Sequence, residues 1–134
     1  MSDHARRMIR FVRANVDVAA DMCTAEVEVQ TPGRGYFVGS AQGGSSEADQ
    51  LRTVARATAD ALSEAFEAHN AQVRVLGAQV VHAAPHKTVM VTLAASQGMR
   101  SRTLFGVCDS DSHDTATATA LAVLNATNRF LSRR

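Results

Sequence analysis

A chain of 134 residues that is 46% hydrophobic and 20% charged is long enough for one core and too short for two of ordinary size. Its formal net charge of +1 excludes a strong overall field toward nucleic acid or a membrane, and an aromatic content of 4% argues against a base-stacking platform. Cys23 and Cys108 lack CxxC spacing, so no disulfide framework is expected, and no stretch approaches the roughly 18 apolar residues of a membrane span.

In chain order, residues 9–20 are rich in Val and Ile and predict a strand. Residues 24–30 alternate, with Ala25, Val27 and Val29 on one side and Glu26, Glu28 and Gln30 on the other, the pattern of a half-buried strand. Thr31-Pro32-Gly33-Arg34-Gly35 has turn composition. Residues 36–41 form a third strand, which Gln42-Gly43-Gly44 is expected to break. Ser46 with Asp49 resembles a capping box. Leu51, Val54, Ala55, Thr58, Leu62 and Phe66 then recur at helical spacing, and the helix should fade near His69-Asn70.

The order repeats. Residues 72–83 predict a strand, Ala84-Pro85-His86 a turn, 88–94 an alternating strand, 96–100 a loop and 102–107 a strand. Residues 108–113 are polar and turn-like. A second helix runs from about Asp114 to Leu131, with Leu121, Leu124 and Phe130 inward.

The repeat extends to identities. When residues 9–30 are laid on 73–94, Arg10, Ala14, Val16, Ala19, Ala20, Thr24 and Val27 meet Arg74, Ala78, Val80, Ala83, Ala84, Thr88 and Val91. Gly39 and Ser45 meet Gly106 and Ser112 with a slightly larger shift. The expected architecture is α+β within one domain, residues 1–134: two βββα units, 9–70 and 72–131, related by a pseudo-twofold, with antiparallel sheets packed on two helices. Such an assembly leaves edges and helix surfaces that a second copy can cover, so a homodimer is expected.

The chemistry-bearing candidates gather at the two helix starts. Gly43, Gly44, Ser45, Ser46 and Glu47 precede one helix; Asp111, Ser112, His113 and Asp114 precede the other. Free N–H groups and the positive dipole end suit a carboxylate or phosphate there, and a twofold would let both starts flank one pocket. Ordinary caps and turns use the same residue types. No phosphate-loop or dinucleotide fingerprint is present, and no cofactor is expected. His82 and His86 flank a turn, but with Pro85 between them their spacing does not predict a metal site. A small enzyme is the alternative: a histidine base at His113 or His86 oriented by Asp109, Asp111 or Asp114, or a Cys108–His113 dyad. Ala118, Ala122 and Ala126 recur every four residues and allow close packing. Asn125 and Asn128 are suited to bonding across an interface, capping strand ends or facing solvent.

The run Asp114, Ala118, Ala122, then Leu124-Asn125-Ala126-Thr127-Asn128-Arg129 resembles the last helix of the C-terminal regulatory domain of 2-isopropylmalate synthase and its homocitrate- and citramalate-synthase relatives. Gly106-Val107 is similar to the strand end before that helix. Residues 43–48 look like a worn version of the family's Gly-x-Gly-Pro-Val-Asp-Ala start, without the Pro and with Glu47 for Asp. The resemblance implies two βββα units, a dimer, and a site between the repeats for an end-product amino acid such as leucine, which inhibits a catalytic barrel. This chain carries no barrel. The resulting expectation is a stand-alone regulatory module that binds a small carboxylate-bearing metabolite at residues 43–47 and 111–114 and acts on a synthase or other enzyme in trans. A ligand-free assembly scaffold is the other alternative. Nucleic acid and membrane are not expected partners: the arginines near both ends read as solvated termini. With no apolar run of a signal peptide, the cytoplasm is the expected location.

Overall fold

The alternation of residues 24–30 gives β2 its two faces. Cys23, Ala25, Val27, Val29 and Thr31 are buried, while Thr24, Glu26, Glu28 and Gln30 point outward. The computed structural model describes residues 9–33, 35–67, 70–83, 85–111 and 113–132. The elements are β1 (Arg10–Ala19), β2 (Met22–Thr31), β3 (Gly35–Gly44), α1 (Glu47–Ala65), β4 (Ala71–Ala83), β5 (His86–Gln97), β6 (Arg100–Asp109) and α2 (Thr115–Ser132). They form an α+β fold with two three-stranded antiparallel sheets, ordered β1-β2-β3 and β4-β5-β6, and two helices, in agreement with the expected βββα order.

Several boundaries differ from expectation. β3 runs through Gln42, Gly43 and Gly44, because β2 begins at Met22 and pairs with it to the end, Met22 opposite Gly44. β6 likewise includes Cys108 and Asp109, opposite Val89 and Thr88. The β1–β2 hairpin turns on Ala20 and Asp21, with Ala20 at φ +58, a left-handed position that usually belongs to Gly or Asn. The expected fading of the first helix at His69 lies outside the described residues; α1 itself ends at Ala65.

Matching irregularities occur in both units. The β1–β2 register shifts between Phe11 and Arg13, and the β4–β5 register shifts between Val75 and Gly77. Each bulge leaves a large apolar residue exposed on an edge strand, Val12 and Leu76. Gly39 lies opposite Val27 and Gly106 opposite Val91. A Cβ on Gly39 would collide with backbone atoms of Ala57 and Ala61, and one on Gly106 with the backbone of Ala122. Only glycine lets each helix lie this close to its strand.

Each helix covers its own sheet and touches the first strand of the other: α1 lies on β2 and β3 and against β4, α2 on β5 and β6 and against β1. The buried side chains of both units form one cluster, dominated by Ala and Val with Leu51, Leu62, Leu93, Leu124, Phe66 and Phe130. Each fully buried Val or Leu contributes about 1.5–3 kcal/mol relative to exposure. Leu121, expected inward, is only half-buried; the alanine stripe takes its place. Thr53, Thr58, Thr119 and Thr127 are buried on the helices because each hydroxyl donates to a carbonyl one turn back, at 2.7–3.0 Å.

The helices also satisfy strand edges. Asn125 Nδ2 donates to the Val107 carbonyl at 3.2 Å, and Arg129 to the Phe105 carbonyl at 2.7 Å. In the first unit Asp60 accepts from the Ser40 N–H at 3.2 Å, and Arg56 donates to the Gln42 carbonyl. Asn128, 8% exposed, closes the chain on itself: Oδ1 accepts from the Ile9 N–H and Nδ2 donates to the Ile9 carbonyl, both at 3.0 Å. No described helix is long and apolar enough to cross a membrane.

Candidate functional site

The two helix starts flank one groove of about 340 Å³. Its walls are the first two turns of α1 (Gln50, Leu51, Val54), the residue before α2 (Asp114) and the first two turns of α2 (Thr115, Ala116, Thr119), and β1 contributes Ala14, Asn15 and Val16. Successive strand side chains point to opposite faces, so three consecutive residues place the edge of β1, rather than a face, against the groove. Ala14, Val16, Leu51, Val54 and Ala116 make an apolar patch beside the polar groups of Asn15, Gln50, Asp114 and Thr115.

Local chemistry sets both helix starts. Ser46 is the N-cap of α1, its hydroxyl accepting from the Asp49 N–H at 3.1 Å. The Asp49 carboxylate pairs with Arg52 and with the Ser46 hydroxyl, which together hold it below the usual carboxylate range. Gln50 folds back to donate to the Ser45 carbonyl at 2.7 Å. At α2, Asp114 accepts the Thr117 N–H at 2.7 Å on its side chain and the Ala118 N–H at 2.9 Å on its carbonyl. Both acidic groups sit where the helix dipole favours them.

The predicted site residues are distributed unevenly around this groove. Asp114 lines it directly. Ser46 and Glu47, both exposed, open the helix that supplies Gln50 and Leu51. Gly43 and Gly44 lie outside it. They end β3 beneath the first turns of α1, where an added Cβ would strike the Thr53 hydroxyl and the Asp49 carboxylate. Their lack of side chain serves helix packing at that place. Asp111 turns away from the groove to His86, whose Nδ1 lies 2.8 Å from its Oδ2. His113 is exposed, and Ser112 lies outside the described residues.

The His86–Asp111 pair is held by the 109–111 turn. The Asp111 N–H bonds to the Asp109 side chain at 2.8 Å, and the Ser110 N–H bonds to the Lys87 carbonyl at 2.9 Å. The Asp111 hydrogen bond and charge raise the His86 pKa, and the same bond lowers that of Asp111. His86 remains 66% exposed, so solvent screens the pair. Burial and the neighbouring Asp109 push the Cys108 thiol up, opposite to the activation that a nucleophile requires. Among the described residues no group of three or more His, Cys, Asp or Glu side chains is placed to hold a metal ion.

Residues 14–16, Gln50, Ala116 and Thr119 were not singled out as site candidates in the sequence. No local pattern marks them; they meet because β1 lies against α2 and the start of α1. The sequence matches no family model and no curated protein.

Proposed function

We propose that this chain is a regulatory module built by internal duplication, similar to the C-terminal domain of the 2-isopropylmalate synthase family. In this reading two βββα units related by a pseudo-twofold create the groove, and a small carboxylate-bearing metabolite binds in it. A homodimer then transmits occupancy to a synthase or other enzyme in trans in the cytoplasm. The single observation that carries the reading is the convergence of both helix starts on one groove with an apolar and a polar side. The apolar residues fit a short aliphatic side chain. Asp114 fits an ammonium group, and in this reading the carboxylate lies toward the start of α1, beside Gln50, where the helix dipole favours an anion. The matching bulges and the matching Gly39 and Gly106 contacts support the duplication.

The test is thermal unfolding against a panel of amino, keto and hydroxy acids at millimolar concentration, with sedimentation run in parallel. A ligand at a hundredfold excess over its Kd adds about 2.7 kcal/mol, on the order of 10 °C in Tm for a chain of this size. Ala116→Leu, which fills the groove, should abolish the response. A panel without any shift refutes the reading. A second reading, a small enzyme, draws on the His86–Asp111 pair; it requires a substrate whose turnover is lost in His86→Ala.

A further inference from the structure

The two sheets share a register but differ in the face they turn to solvent. In sheet β1-β2-β3 the row just after the bulge is Arg13–Glu28–Val38, and the next is Asn15–Glu26–Ser40. In sheet β4-β5-β6 the same two rows are Gly77–Thr92–Phe105 and Gln79–Met90–Val107. These rows lie on the side away from the core. Val27, between Glu26 and Glu28, and Val91, between Met90 and Thr92, are fully buried on the opposite side.

The first face is built for water. Arg13 bridges Glu26 at 2.9 Å and Glu28 at 2.8 Å across its middle. The second face has no ionisable residue in either row. Phe105 and Val107 are 58% and 52% exposed, and Val81, one row further on, is exposed as well. An antiparallel sheet with one face in water normally carries polar residues on that face. Met90, Phe105 and Val107 break the rule side by side, since Met90 pairs with Val107 and Phe105 with Thr92. Arg74 and Asp109 stand at the two ends of the same face. An apolar centre that includes Phe and Met, with charges at its border, has the anatomy of a protein interface.

The edges of this sheet are already occupied. On β6, Arg129 donates to the Phe105 carbonyl and Asn125 to the Val107 carbonyl. The other edge strand, β4, lies against α1. Strand addition is therefore blocked beside the apolar centre, and an occupant must cover the face itself.

We infer that this face binds the same face of a second copy of the chain, about a twofold axis. Charge and area select that occupant. Laid on itself, the neutral face brings no like charges together, whereas the face of β1-β2-β3 would set Glu26 and Glu28 against their own copies. A ten-residue stretch of three strands has a footprint of about 33 by 14 Å, or about 900 Å² for two copies. Side-chain relief on both faces carries the accessible area above the roughly 1,000 Å² that a specific interface needs. That is the lower end of the range, so the dimer has micromolar rather than nanomolar strength. The contact gives a surface to the homodimer proposed above and does not depend on the groove at the helix starts.

The experiment is sedimentation of the full chain over about 1–200 µM without ligand, with the Met90 methyl resonance followed over the same range. A monomer–dimer equilibrium is expected, and the Met90 shift should follow it. Phe105→Lys should weaken the dimer at least tenfold, and Val107→Lys should do the same, each at unchanged Tm of the monomer. Val38→Lys makes the same change at the matching position of the other sheet, opposite Glu28, and should leave the dimer intact. A monomer at every concentration overturns the inference. So does a dimer that Phe105→Lys and Val107→Lys leave unchanged, one that Val38→Lys weakens equally, or one that forms without moving the Met90 resonance. A dimer through this face with no amino-acid response upholds the inference while refuting the reading of the groove. An amino-acid response in a monomeric protein does the reverse.

Discussion

Replacing Gly106 by Ala tests the close approach of α2 to β6. The added Cβ would lie well inside the 3.0 Å that real Cβ atoms essentially never breach, against the Ala122 carbonyl oxygen. That oxygen belongs to the helix backbone and cannot rotate aside, so α2 must lift from β6. The movement loosens buried Val91, opposite Gly106, and Ala126, which also faces it. Overpacking in a close-packed core costs about 1–3 kcal/mol, and a backbone obstacle belongs in the upper half of that range. At about 4 °C per kcal/mol for a chain of this length, Tm should fall by roughly 8–12 °C. Gly39→Ala meets the backbone of Ala57 and Ala61 and should cost as much. Gly77→Ala is the control: it too is a strand glycine, but nothing lies within 4 Å of the added atom. It should be neutral or stabilising by up to about 1 kcal/mol. Calorimetry of the three variants reads the comparison. A Gly106→Ala protein within 2 °C of wild type, or a Gly77→Ala protein as damaged as the other two, refutes the reasoning.

Asn128→Ala should destabilise by about 2–4 kcal/mol in urea unfolding, because the buried Ile9 N–H and carbonyl both lose their partner, and Ile9 should exchange its amide proton faster. Ala20→Gly relieves a left-handed alanine and should stabilise by about 0.5–1 kcal/mol, read as a higher urea midpoint at unchanged slope. The His86–Asp111 pair has a defined pH window. The His86 pKa is raised, so its contribution is full below the ordinary 6.5 and disappears as pH climbs through the folded value. The Asp111 pKa is lowered, so its contribution is present above the ordinary 3.8 and disappears as pH falls through the folded value. The ordering of the 109–111 turn should therefore be greatest between about pH 4 and 6.5. An NMR titration of the His86 ring should give a raised pKa that Asp111→Asn brings down toward its ordinary value.

Strand and helix order was legible because one periodicity follows another cleanly. Val27 and Val29 alternate with Glu26 and Glu28, and Leu51, Val54, Thr58 and Leu62 repeat at helical spacing; all six apolar or Thr positions among them are buried. Element ends were less legible, since they depend on pairing rather than propensity. Gly43 and Gly44 have turn composition, yet stay in β3 because Cys23 and Met22 extend the ladder opposite them and α1 presses on the same residues. The β1–β2 turn at Ala20-Asp21 has no Asn-Gly or Gly signal at all. Asn125 and Asn128 show what a motif read by likeness leaves open. Their spacing was visible, but their work as clamps on β6 and Ile9 depends on strands distant in sequence.

The candidate groove was half legible for the same reason. Caps announce a helix start locally, so Ser46 and Asp114 were readable one at a time. Their convergence needs β1 to reach α2, which no local pattern encodes. Asn128 ties the residue before β1 to the end of α2, and β1 also packs on α2, so the end of α2 helps anchor the strand whose edge borders the groove at the start of α2. Shifting β1 along α2 would change the groove's width and break two buried hydrogen bonds together. The groove and the Ile9–Asn128 junction should therefore respond together. An occupant that fits the groove should slow amide exchange at Ile9, and in Asn128→Ala the same occupant should bind more weakly while Asp114 and Ala116 remain in place. Exchange at Ile9 that ignores a bound ligand would separate the two ends of α2 and leave the groove a local feature.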